Sequence, residues 1–304
     1  MTPKYKPALT KALLVGQGKS RDTYATSRPD ALAIYASNRI STHNIVHESE
    51  IERKGEVLTA LTIFWLKNVL KDMPHHLLAH GEEVFDYLPG KAKDYPEDAY
   101  LRTIIVKRLK IIPVEFIFRN YNAGSLHRDY VSKGIQNPYG IEIASGTKLM
   151  HKFEGPIFTP TQKSEHDEPM MTSNVLANHT FAFNLTLEAF NRCSEYLASA
   201  GITMVDSKFE VGEDEGGFKI ADEIATPDSS RFCETRKIRE GEEPPWLDKQ
   251  IARDYAEFVW KGGPKRPLKF PRELCRQLTE TYVNLFPKIA EYTLGAYQQL
   301  VLGS

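Results

Sequence analysis

The feature that most constrains the fold is a run of alternating apolar and polar residues, GITMVDSKFEV, followed by GEDEGG and then FKIADEI. Alternation with a period of two is the pattern of a β-strand whose two faces differ. The glycines and acidic residues between the two runs predict a turn, so the segment is predicted to be a β-hairpin with a loop of several residues. The chain should therefore contain an antiparallel pair of strands with a charged face.

The charged face of this hairpin is the first candidate site. Side chains alternate between the faces of a strand, so Asp206, Lys208 and Glu210 share one face. The returning strand carries Asp222 and Glu223, one of which should lie close to Glu210. Mg²⁺ binds one or two protein carboxylates and completes its shell with water and phosphate oxygens, while a lysine neutralises phosphate charge. The pattern thus favours a Mg²⁺–polyphosphate site, and a solvated, salt-bridged hairpin face is the alternative.

The N-terminal region predicts a second antiparallel sheet. Residues 12–15, 23–25 and 31–36 read as short strands around the glycine turn GQGKSRD, and residues 57–70 have helical periodicity. In the turn, Gly18 permits close approach of the backbone to phosphate, while Lys19 and Arg21 add positive charge. The spacing is not that of a Walker loop, which leaves a kinase-like glycine turn over a nucleotide or a simple hairpin turn.

The rest of the chain alternates strands and helices and predicts two lobes. Residues 102–106 and 114–118 are β-branched and aromatic, and the basic stretch 107–110 and Pro113 separate them. The predicted domains are therefore residues 1–112, a β-rich lobe, and residues 113–304, an α+β lobe. A long helix is predicted over about 178–200, ended by Gly201, with scaffold helices over 248–260 and 272–300.

Three further polar segments are candidate binding sites. RNYNAGSLHRDY places Arg119 at a strand end and opens a helix at Gly124 and Ser125, where a phosphate can dock; an ordinary capped helix is the alternative. TPDSSR combines hydroxyls with Arg231, which suits a bidentate grip on phosphate or carboxylate. IFTPTQKSEHDEP is too polar for a regular element and indicates either a functional or an exposed loop.

Composition excludes several classes of function. The 39 basic and 40 acidic residues give a formal net charge of −1, so no net positive field attracts nucleic acid or an anionic membrane, and no apolar run is long enough to span a bilayer. The three cysteines are far apart and lack the spacing of a zinc site, which favours a reducing, cytoplasmic compartment. GxSxG and HExxH motifs are missing, so neither a serine hydrolase nor a zinc protease is indicated.

Taken together and in order, these segments resemble the SAICAR synthetase family of purine-pathway ligases, from about Gly18 to Arg231. The resemblance rests on the segments GKSRDTY, SNRISTHN, RKGEVLTALTIFWL, KRLKIIPVEFIFRNYNAGSL, PIFTPTQKSEHDE, VDSKFEVG and DEIATPDSSRF. It implies an α+β fold with a small antiparallel β lobe, a larger α+β lobe, a cleft for ATP and a relation to kinase and ATP-grasp architectures.

The resemblance also implies roles for individual residues. Those implied for ATP are Gly18, Lys19 and Arg21 at the phosphates, the stretch from Lys107 to Ile111 at adenine, Glu210 and Asp222 at Mg²⁺, and Lys208 as a phosphate-neutralising cation. Those implied for the other substrates are Arg119, Ser125, Asp228, Ser230 and Arg231 for a ribotide, Lys163 and Asp167 in a polar loop, and Asn38 and Ser41 in SNRISTHN. The family usually has aspartates where this chain has Asn38 and Asn44, which leaves the amine substrate open.

The implied reaction joins a carboxyaminoimidazole ribotide to L-aspartate with ATP, giving SAICAR, ADP and phosphate. A cytoplasmic monomer or homodimer acting on small molecules is expected, with Mg²⁺ as cofactor. Two other classes share the same features. A kinase-like phosphotransferase normally has the catalytic loop H-R-D-x-x-x-x-N; this chain has His127, Arg128 and Asp129 but Gly134 at the asparagine position. A regulatory homologue would bind ATP without turnover.

Overall fold

The computed structural model describes residues 4–164 and 167–303, so Glu165 and His166 of the predicted polar loop lie outside the described residues. The strands are β1 (Leu14–Gln17), β2 (Arg21–Ala25), β3 (Ala31–Ala36), β4 (Arg39–Thr42), β5 (Ile45–Glu50), β6 (Leu77–His80), β7 (Thr103–Lys107), β8 (Lys110–Ile111), β9 (Val114–Tyr121), β10 (Lys152–Phe158), β11 (Thr161–Gln162), β12 (Ile202–Asp214), β13 (Gly217–Ala221) and β14 (Ser230–Glu234). The α-helices are α1 (Lys54–Phe64), α2 (Gly124–Asp129), α3 (Thr172–Ser199), α4 (Gln250–Trp260), α5 (Arg272–Ala290) and α6 (Leu294–Tyr297).

The chain forms two compact units. The first contains residues 4–67, 76–109 and 249–303, and the second contains residues 68–75, 110–164 and 167–248. One crossing between units falls between Leu109 and Lys110, and another lies between Asp248 and Lys249. The C-terminal helices therefore belong to the same unit as the N-terminal strands. The sequence-based division at residues 112 and 113 stays a prediction about domains.

The first unit is built on a five-stranded sheet in the order β1-β2-β3-β7-β6, with a separate β4–β5 hairpin. Every pairing in both is antiparallel. The predicted helix over 57–70 is present as α1 followed by a π-helical turn, Trp65–Val69. All residues of α1 except Glu56 are buried, because β3 and α5 both pack against it. The helix is therefore enclosed on nearly all sides, and its polar residues Lys54, Thr59 and Thr62 are buried with the apolar ones.

The β4–β5 hairpin is fixed by the C-terminal part of the chain. The backbone N–H of Glu48 donates to the carbonyl of Leu268 at 2.9 Å, and the N–H of Phe270 donates to Ser49 Oγ at 2.7 Å. His47 Nδ1 accepts the N–H of Leu268 at 3.2 Å. The segment after α4 thus runs along β5 as an irregular edge partner.

The second unit is a seven-stranded antiparallel sheet whose central strands are β9 and β12. α3 packs on one face, where the Phe190 ring lies 5.5 Å from that of Phe118 and 6.5 Å from that of Phe209. The long helix is confirmed, but it begins at Thr172, earlier than predicted. The backbone at His179 leaves helical geometry (φ −136°, ψ 36°), so the apolar periodicity is interrupted just where the sequence places the start.

The predicted hairpin is present as β12 and β13, but its loop is shorter than expected. Asp214 is paired with Gly217, which leaves a two-residue connection rather than a loop of several residues. Asp214 Oδ1 accepts the N–H of Gly216 at 2.8 Å, and the Lys219 ammonium contacts the same oxygen. A side chain that caps its own turn lets both strands continue to its edge.

The fold class is α+β with antiparallel sheets, as predicted. The stretch predicted to be helical over 272–300 is interrupted once: α5 ends at Ala290, where Glu291 adopts a left-handed conformation (φ 61°), and α6 and a π-helical turn, Gln298–Leu302, follow. Within the described part of the chain, no helix combines the length and the apolar character that a membrane crossing requires.

Candidate active site

The candidate site lies on the face of the seven-stranded sheet opposite α3. β9 and β12 are antiparallel neighbours, and their register places Asp206 opposite Arg119. Residues two apart on a strand share a face, so Glu115 on β9 and Lys208 and Glu210 on β12 are on that face as well. Two central strands of one sheet therefore supply five ionisable side chains to one surface.

Three of these side chains, together with Lys163 from outside the two strands, form a row of alternating charge, which we call the ionic row: Glu115, Lys208, Glu210 and Lys163. Lys208 Nζ donates to Glu115 Oε1 at 2.8 Å and to Glu210 Oε1 at 3.0 Å. The Lys163 ammonium, on the segment after β11, contacts the other Glu210 oxygen. Glu115 Oε2 also accepts a hydrogen bond from Thr161 Oγ1 at 2.6 Å, which fixes that carboxylate in the sheet.

Burial makes the charges of the ionic row interdependent. Burial alone would raise the pKa of Glu210, but the ammonium groups of Lys208 and Lys163 outweigh it and hold that pKa well below the usual range. Burial likewise opposes the charge on Lys208, yet the carboxylates of Glu210, Glu115 and Asp222 raise the pKa of this lysine well above its ordinary value. At neutral pH Glu210 and Lys208 are therefore both charged, and each stabilises the charge of the other.

Asp222 stands at the end of the hairpin beside this row. The register pairs Ala221 with Glu210, and Asp222 follows in a left-handed backbone conformation (φ 63°) that ends β13. Its charge acts on Lys208, whereas the Glu223 carboxylate accepts a hydrogen bond from Thr226 Oγ1. Of the two carboxylates that the sequence left open, Asp222 is thus the one that faces the lysine of the ionic row.

A second cluster lies further along the same strands. Asp206 Oδ2 accepts hydrogen bonds from Arg119 Nη1 at 2.7 Å and from Arg231 Nη1 at 2.6 Å. Arg119 Nη2 donates to Ser125 Oγ at 3.3 Å, so α2 does begin at the predicted glycine and bring Ser125 to this arginine. We call Arg119 and Arg231 the arginine pair.

The remaining predicted polar residues of the second unit lie on two segments: Ser230 and Asp228 come just before Arg231, and Asp167 follows β11. Ser230 Oγ and Ser207 Oγ share a buried hydrogen bond of 2.8 Å, while the N–H of Asp228 is tied to Thr226 Oγ1 at 3.2 Å in the preceding turn. Asp167 has a left-handed backbone (φ 51°) and its N–H donates to Ser164 Oγ at 3.2 Å. The sequence motif TPDSSR is therefore a turn that delivers Arg231 to β14.

The first unit holds the predicted glycine turn. The Gly18 N–H donates to the Arg21 carbonyl at 2.7 Å, which closes the turn between β1 and β2. Lys19 Nζ donates to Asn44 Oδ1 at 2.7 Å, and Arg39 Nη2 donates to the Gly18 carbonyl at 3.1 Å. The turn is thus linked to the β4–β5 hairpin, whose side chains set its position.

The other predicted residues have more ordinary surroundings. Asn38 Oδ1 accepts the N–H of Gly55 at 3.0 Å, which ties it to the start of α1, and Ser41 is a buried β4 residue paired with Val46. Lys107 ends β7 with an exposed side chain, in the first unit. Ile111, in β8 of the second unit, has 40% of its side chain exposed, which is unusual for isoleucine and leaves an apolar surface available.

Sequence reasoning assigns no role to Glu115 or Asp206, although both lie within the clusters described above. Glu115 is detectable in retrospect, because VEFIFRN places it with Arg119 on one face of an otherwise apolar strand. Asp206 shares the hairpin face with Lys208 in the sequence analysis, but its pairing with two arginines depends on strand order. Local sequence pattern does not predict that β12 lies between β9 and β14.

The donor set around Glu210 fits a hard divalent cation of the Mg²⁺ type. Glu210 and Asp222 provide carboxylate oxygens, and nearby lysines provide the charge balance that a polyphosphate needs. Over residues 4–164 and 167–303, no three side chains of the His, Cys, Asp and Glu types converge into a metal cage. Glu210 and Asp222 would supply the one or two protein carboxylates that Mg²⁺ takes.

Comparison with known proteins gives a consistent result. Residues 14–267 match the family model for SAICAR synthetase. A phosphoribosylaminoimidazole-succinocarboxamide synthase from Saccharomyces cerevisiae is 33% identical over 287 residues, which cover 90% of this chain and 92% of that protein. One from Bordetella petrii is 36% identical over 293 residues, covering 93% of this chain and 97% of that protein.

Solved structures agree with the sequence relatives. The SAICAR-synthase from Saccharomyces cerevisiae complexed with SAICAR superposes with a TM-score of 0.82 at 30% identity, covering 96% of this chain and 98% of that chain. A type-2 SAICAR synthetase in complex with ADP superposes with a TM-score of 0.63 at 21% identity, covering 91% of this chain and 98% of that chain, and so shares the fold.

Proposed function

Because this chain belongs to the SAICAR synthetase family, we propose that its ionic row and arginine pair carry out that family's ligation. The enzyme joins 5-amino-1-(5-phosphoribosyl)imidazole-4-carboxylate to L-aspartate and converts ATP to ADP and phosphate. The observation that supports this proposal is the alternating row of Glu115, Lys208, Glu210 and Lys163. The kinase-like and regulatory alternatives have no support in the comparisons.

The chemistry explains why such a row is useful. A carboxylate resists attack by an amine, since the leaving group would be oxide. Transfer of the γ-phosphoryl group converts one carboxylate oxygen into a good leaving group, and the aspartate amine then displaces phosphate. Phosphoryl transfer gains chiefly from alignment and from stabilisation of charge, so the site needs fixed cations more than it needs a protein nucleophile.

Lys208 is the proposed fixed cation for the transferring phosphate. Glu115 and Glu210 hold its ammonium from two sides, so its position costs little reorganisation when the phosphate charge shifts. Lys163 has a side chain that is 42% exposed on an irregular segment, which allows it to follow a substrate into the site. Asp167 is proposed to bind substrate together with Lys163.

Glu210 and Asp222 are the residues that would hold Mg²⁺. The ion supplies charge neutralisation of the ATP phosphates when it is bound. The protein's contribution is to keep Glu210 ionised, and the two lysines beside this carboxylate do so by lowering its pKa. Because Lys208 and Lys163 each contact one oxygen of Glu210, they also balance its charge in the free protein.

The arginine pair is the proposed site for the phosphate of the ribotide. Guanidinium groups bind phosphate with two parallel hydrogen bonds, and Ser125 adds a hydroxyl beside Arg119. Ser230 and Asp228 belong to the turn that leads into Arg231, so they are proposed to contact the ribose side of the same substrate. The two clusters lie on one sheet face, which suits a substrate with phosphate at one end and carboxylate at the other.

In the first unit, Gly18, Lys19 and Arg21 are proposed to contact the ATP phosphates. Lys107 and Ile111 are proposed to border adenine. Asn38 and Ser41 are proposed to contribute to recognition of the amine, and the contacts of Asn38 and Asn44 with Gly55 and Lys19 use amide oxygens. L-aspartate is the expected amine. The preference among amines should still be measured, because this chain has neutral amides where the family usually has aspartates. A cytoplasmic monomer or homodimer is proposed.

The deciding experiment measures ADP release from purified protein with Mg²⁺-ATP and carboxyaminoimidazole ribotide. L-aspartate is compared with no amine and with a panel of other amino acids. Release that requires both the ribotide and L-aspartate supports the proposal. Release with a different amine keeps the chemistry and changes the substrate, whereas ATP binding without turnover under every pairing contradicts it.

A further inference from the structure

We propose that Asp206 is a positioning residue that holds Arg119 and Arg231 as a single clamp for a phosphate monoester. This inference rests on the proposed ribotide site and goes beyond it, because Asp206 itself is given no contact with substrate. It concerns how the protein distinguishes a ribotide from the corresponding riboside, which lacks only the phosphate.

The geometry of one oxygen atom carries the argument. Asp206 Oδ2 accepts from Arg119 Nη1 at 2.7 Å and from Arg231 Nη1 at 2.6 Å. Two guanidinium groups that share one acceptor must lie side by side, close enough for the oxygens of a single phosphate to reach both. Like charges repel, so arginines at this separation need an anion between them. Asp206 is 4% exposed, and its carboxylate supplies that anion from the protein side.

The surroundings restrict each arginine in a different way. Arg119 is 3% exposed, and its Nε also donates to Thr159 Oγ1 at 2.9 Å, so its plane is fixed from two directions. Arg231 lies against the backbone of Gly124, where an added Cβ would come within 2.5 Å of the guanidinium carbon. Gly124 also has a positive φ of 57°, which favours glycine, and a Cβ there would displace the Arg231 guanidinium.

The electrostatics fit the same assignment. Burial lowers the pKa of Arg119, and the charge of Asp206 opposes that effect. Burial also opposes the charge on Arg231, but Asp206 and Asp248 raise the pKa of this arginine. Both guanidiniums therefore stay protonated, and each has more N–H donors than the one it uses on Asp206. The donors that remain suit a dianionic phosphate, which arginine binds in a planar, two-pronged manner.

The test compares binding of 5-aminoimidazole-4-carboxamide ribotide with that of its riboside by calorimetry, in the wild-type protein and in Asp206→Asn. The substitution keeps the size of the side chain and removes its charge. Ribotide affinity should fall by about tenfold or more, while riboside affinity should stay within about twofold. In the ligase assay, KM for the ribotide should rise and KM for ATP should not change.

Asp214→Asn is the matched control, because Asp214 is on the same strand and pairs with Lys219 away from the arginine pair. It should leave the preference for the ribotide unchanged. A general structural defect would weaken ribotide and riboside binding alike, so the ratio separates positioning from folding. If Asp206→Asn does not fold, Asp206→Glu keeps the charge and displaces the shared oxygen, and it should reduce the same ratio.

An Asp206 variant that folds and keeps the full preference for the ribotide would overturn the inference. A wild-type protein without any preference for the ribotide would instead contradict the proposed ribotide site itself. The two failures are therefore distinguishable. In the first, the wild-type protein prefers the ribotide over the riboside; in the second, it does not.

Discussion

At the scale of single residues, Glu210 shows how burial and pairing act together. Its side chain is 4% exposed and has a lysine on each oxygen, which is an arrangement that keeps the carboxylate charged where burial would otherwise neutralise it. The arrangement is balanced because Lys208 also has Glu115 as a partner. Loss of the Glu210 charge should therefore affect function more than folding, because Lys208 keeps Glu115 as a partner and Lys163 is 42% exposed.

We expect Glu210→Gln to lower kcat by about 100-fold or more, because the change removes a proposed metal ligand and one of the anions that fix Lys208. Glu115 still pairs with Lys208, so the variant should unfold cooperatively. ADP release and urea denaturation measure the two effects. Glu213→Gln, on the same strand with an exposed side chain, should retain wild-type kcat. Wild-type turnover by Glu210→Gln would remove that residue from the mechanism.

His47 provides a pH-dependent contribution to stability in the first unit. Burial, together with the neighbouring His43, lowers the pKa of His47 to about 4 from an ordinary value of 6.5. Its Nδ1 accepts the Leu268 N–H, and Nε2 lies 2.8 Å from Thr42 Oγ1, so the neutral ring satisfies both contacts. Between pH 6.5 and 4, His47 therefore binds a proton in the unfolded chain but not in the folded chain.

The free energy of unfolding should therefore fall as the pH drops from 6.5 towards 4, with the contribution of His47 fully present above pH 6.5. Glutamine does not titrate, so His47→Gln should reduce the slope of the unfolding free energy against pH by an amount that corresponds to at most about one proton. Urea denaturation at several pH values measures the slope. His151→Gln, at a half-exposed position, is the control, and equal slopes for wild type and His47→Gln would exclude the effect.

At the scale of elements, α3 supports the site from behind. Phe190 is fully buried and packs on Phe118 and Phe209, which lie on β9 and β12 with their side chains directed away from the ionic row. The same two strands thus carry the charged surface on one face and the aromatic core on the other. Residues that pack the core therefore alternate along each strand with residues of the proposed site.

Phe190→Ala should destabilise the protein by about 3–5 kcal/mol, because it removes a large buried ring and leaves a cavity. Phe181→Ala, on the same helix with its side chain 75% exposed, should cost less than about 0.5 kcal/mol. Urea denaturation measures both. KM values of folded Phe190→Ala should stay near those of the wild type, and a loss of stability no greater than that of Phe181→Ala would contradict this packing.

The elements also show what local sequence pattern can and cannot predict. The β12–β13 hairpin, β3, β7 and α1 were predictable because each has a clear period and clear turn residues. The kink at His179 and the short hairpin loop depend on backbone geometry and on the capping by Asp214, which periodicity does not encode. The pairing of β12 with β9 and β14 is non-local, so Asp206 and Glu115 gain their partners only in the folded sheet.

At the scale of the whole molecule, the first unit is assembled from three separated segments of the chain. α5 contributes Leu278, Tyr282 and Phe286 to the buried interior of this unit and packs against α1. Lys54, fully buried at the start of α1, has its ammonium 5.8 Å from the centre of the Tyr282 ring. The C-terminal segment is thus part of the core that supports the glycine turn and the β4–β5 hairpin.

Deleting residues 249–304 should therefore unfold the first unit, because α1 would lose the apolar partner that covers it. Limited proteolysis with mass spectrometry should find cleavage within residues 4–67 and 76–109 of the shortened chain at sites that the full chain protects. Residues 110–248 should remain more resistant. Protection of the N-terminal strands in the shortened chain would contradict the assignment of the C-terminal helices to this core.

The order of synthesis follows from the way the first unit is divided along the chain. β5 cannot gain its partners Leu268 and Phe270 until the ribosome has made more than 200 further residues, whereas residues 68–75 and 110–248 are all present by then. At about 5–20 residues per second, the nascent N-terminal strands wait roughly 10–40 seconds with an incomplete core. The second unit can fold first, and the earliest residues to emerge are among the last to be protected from aggregation.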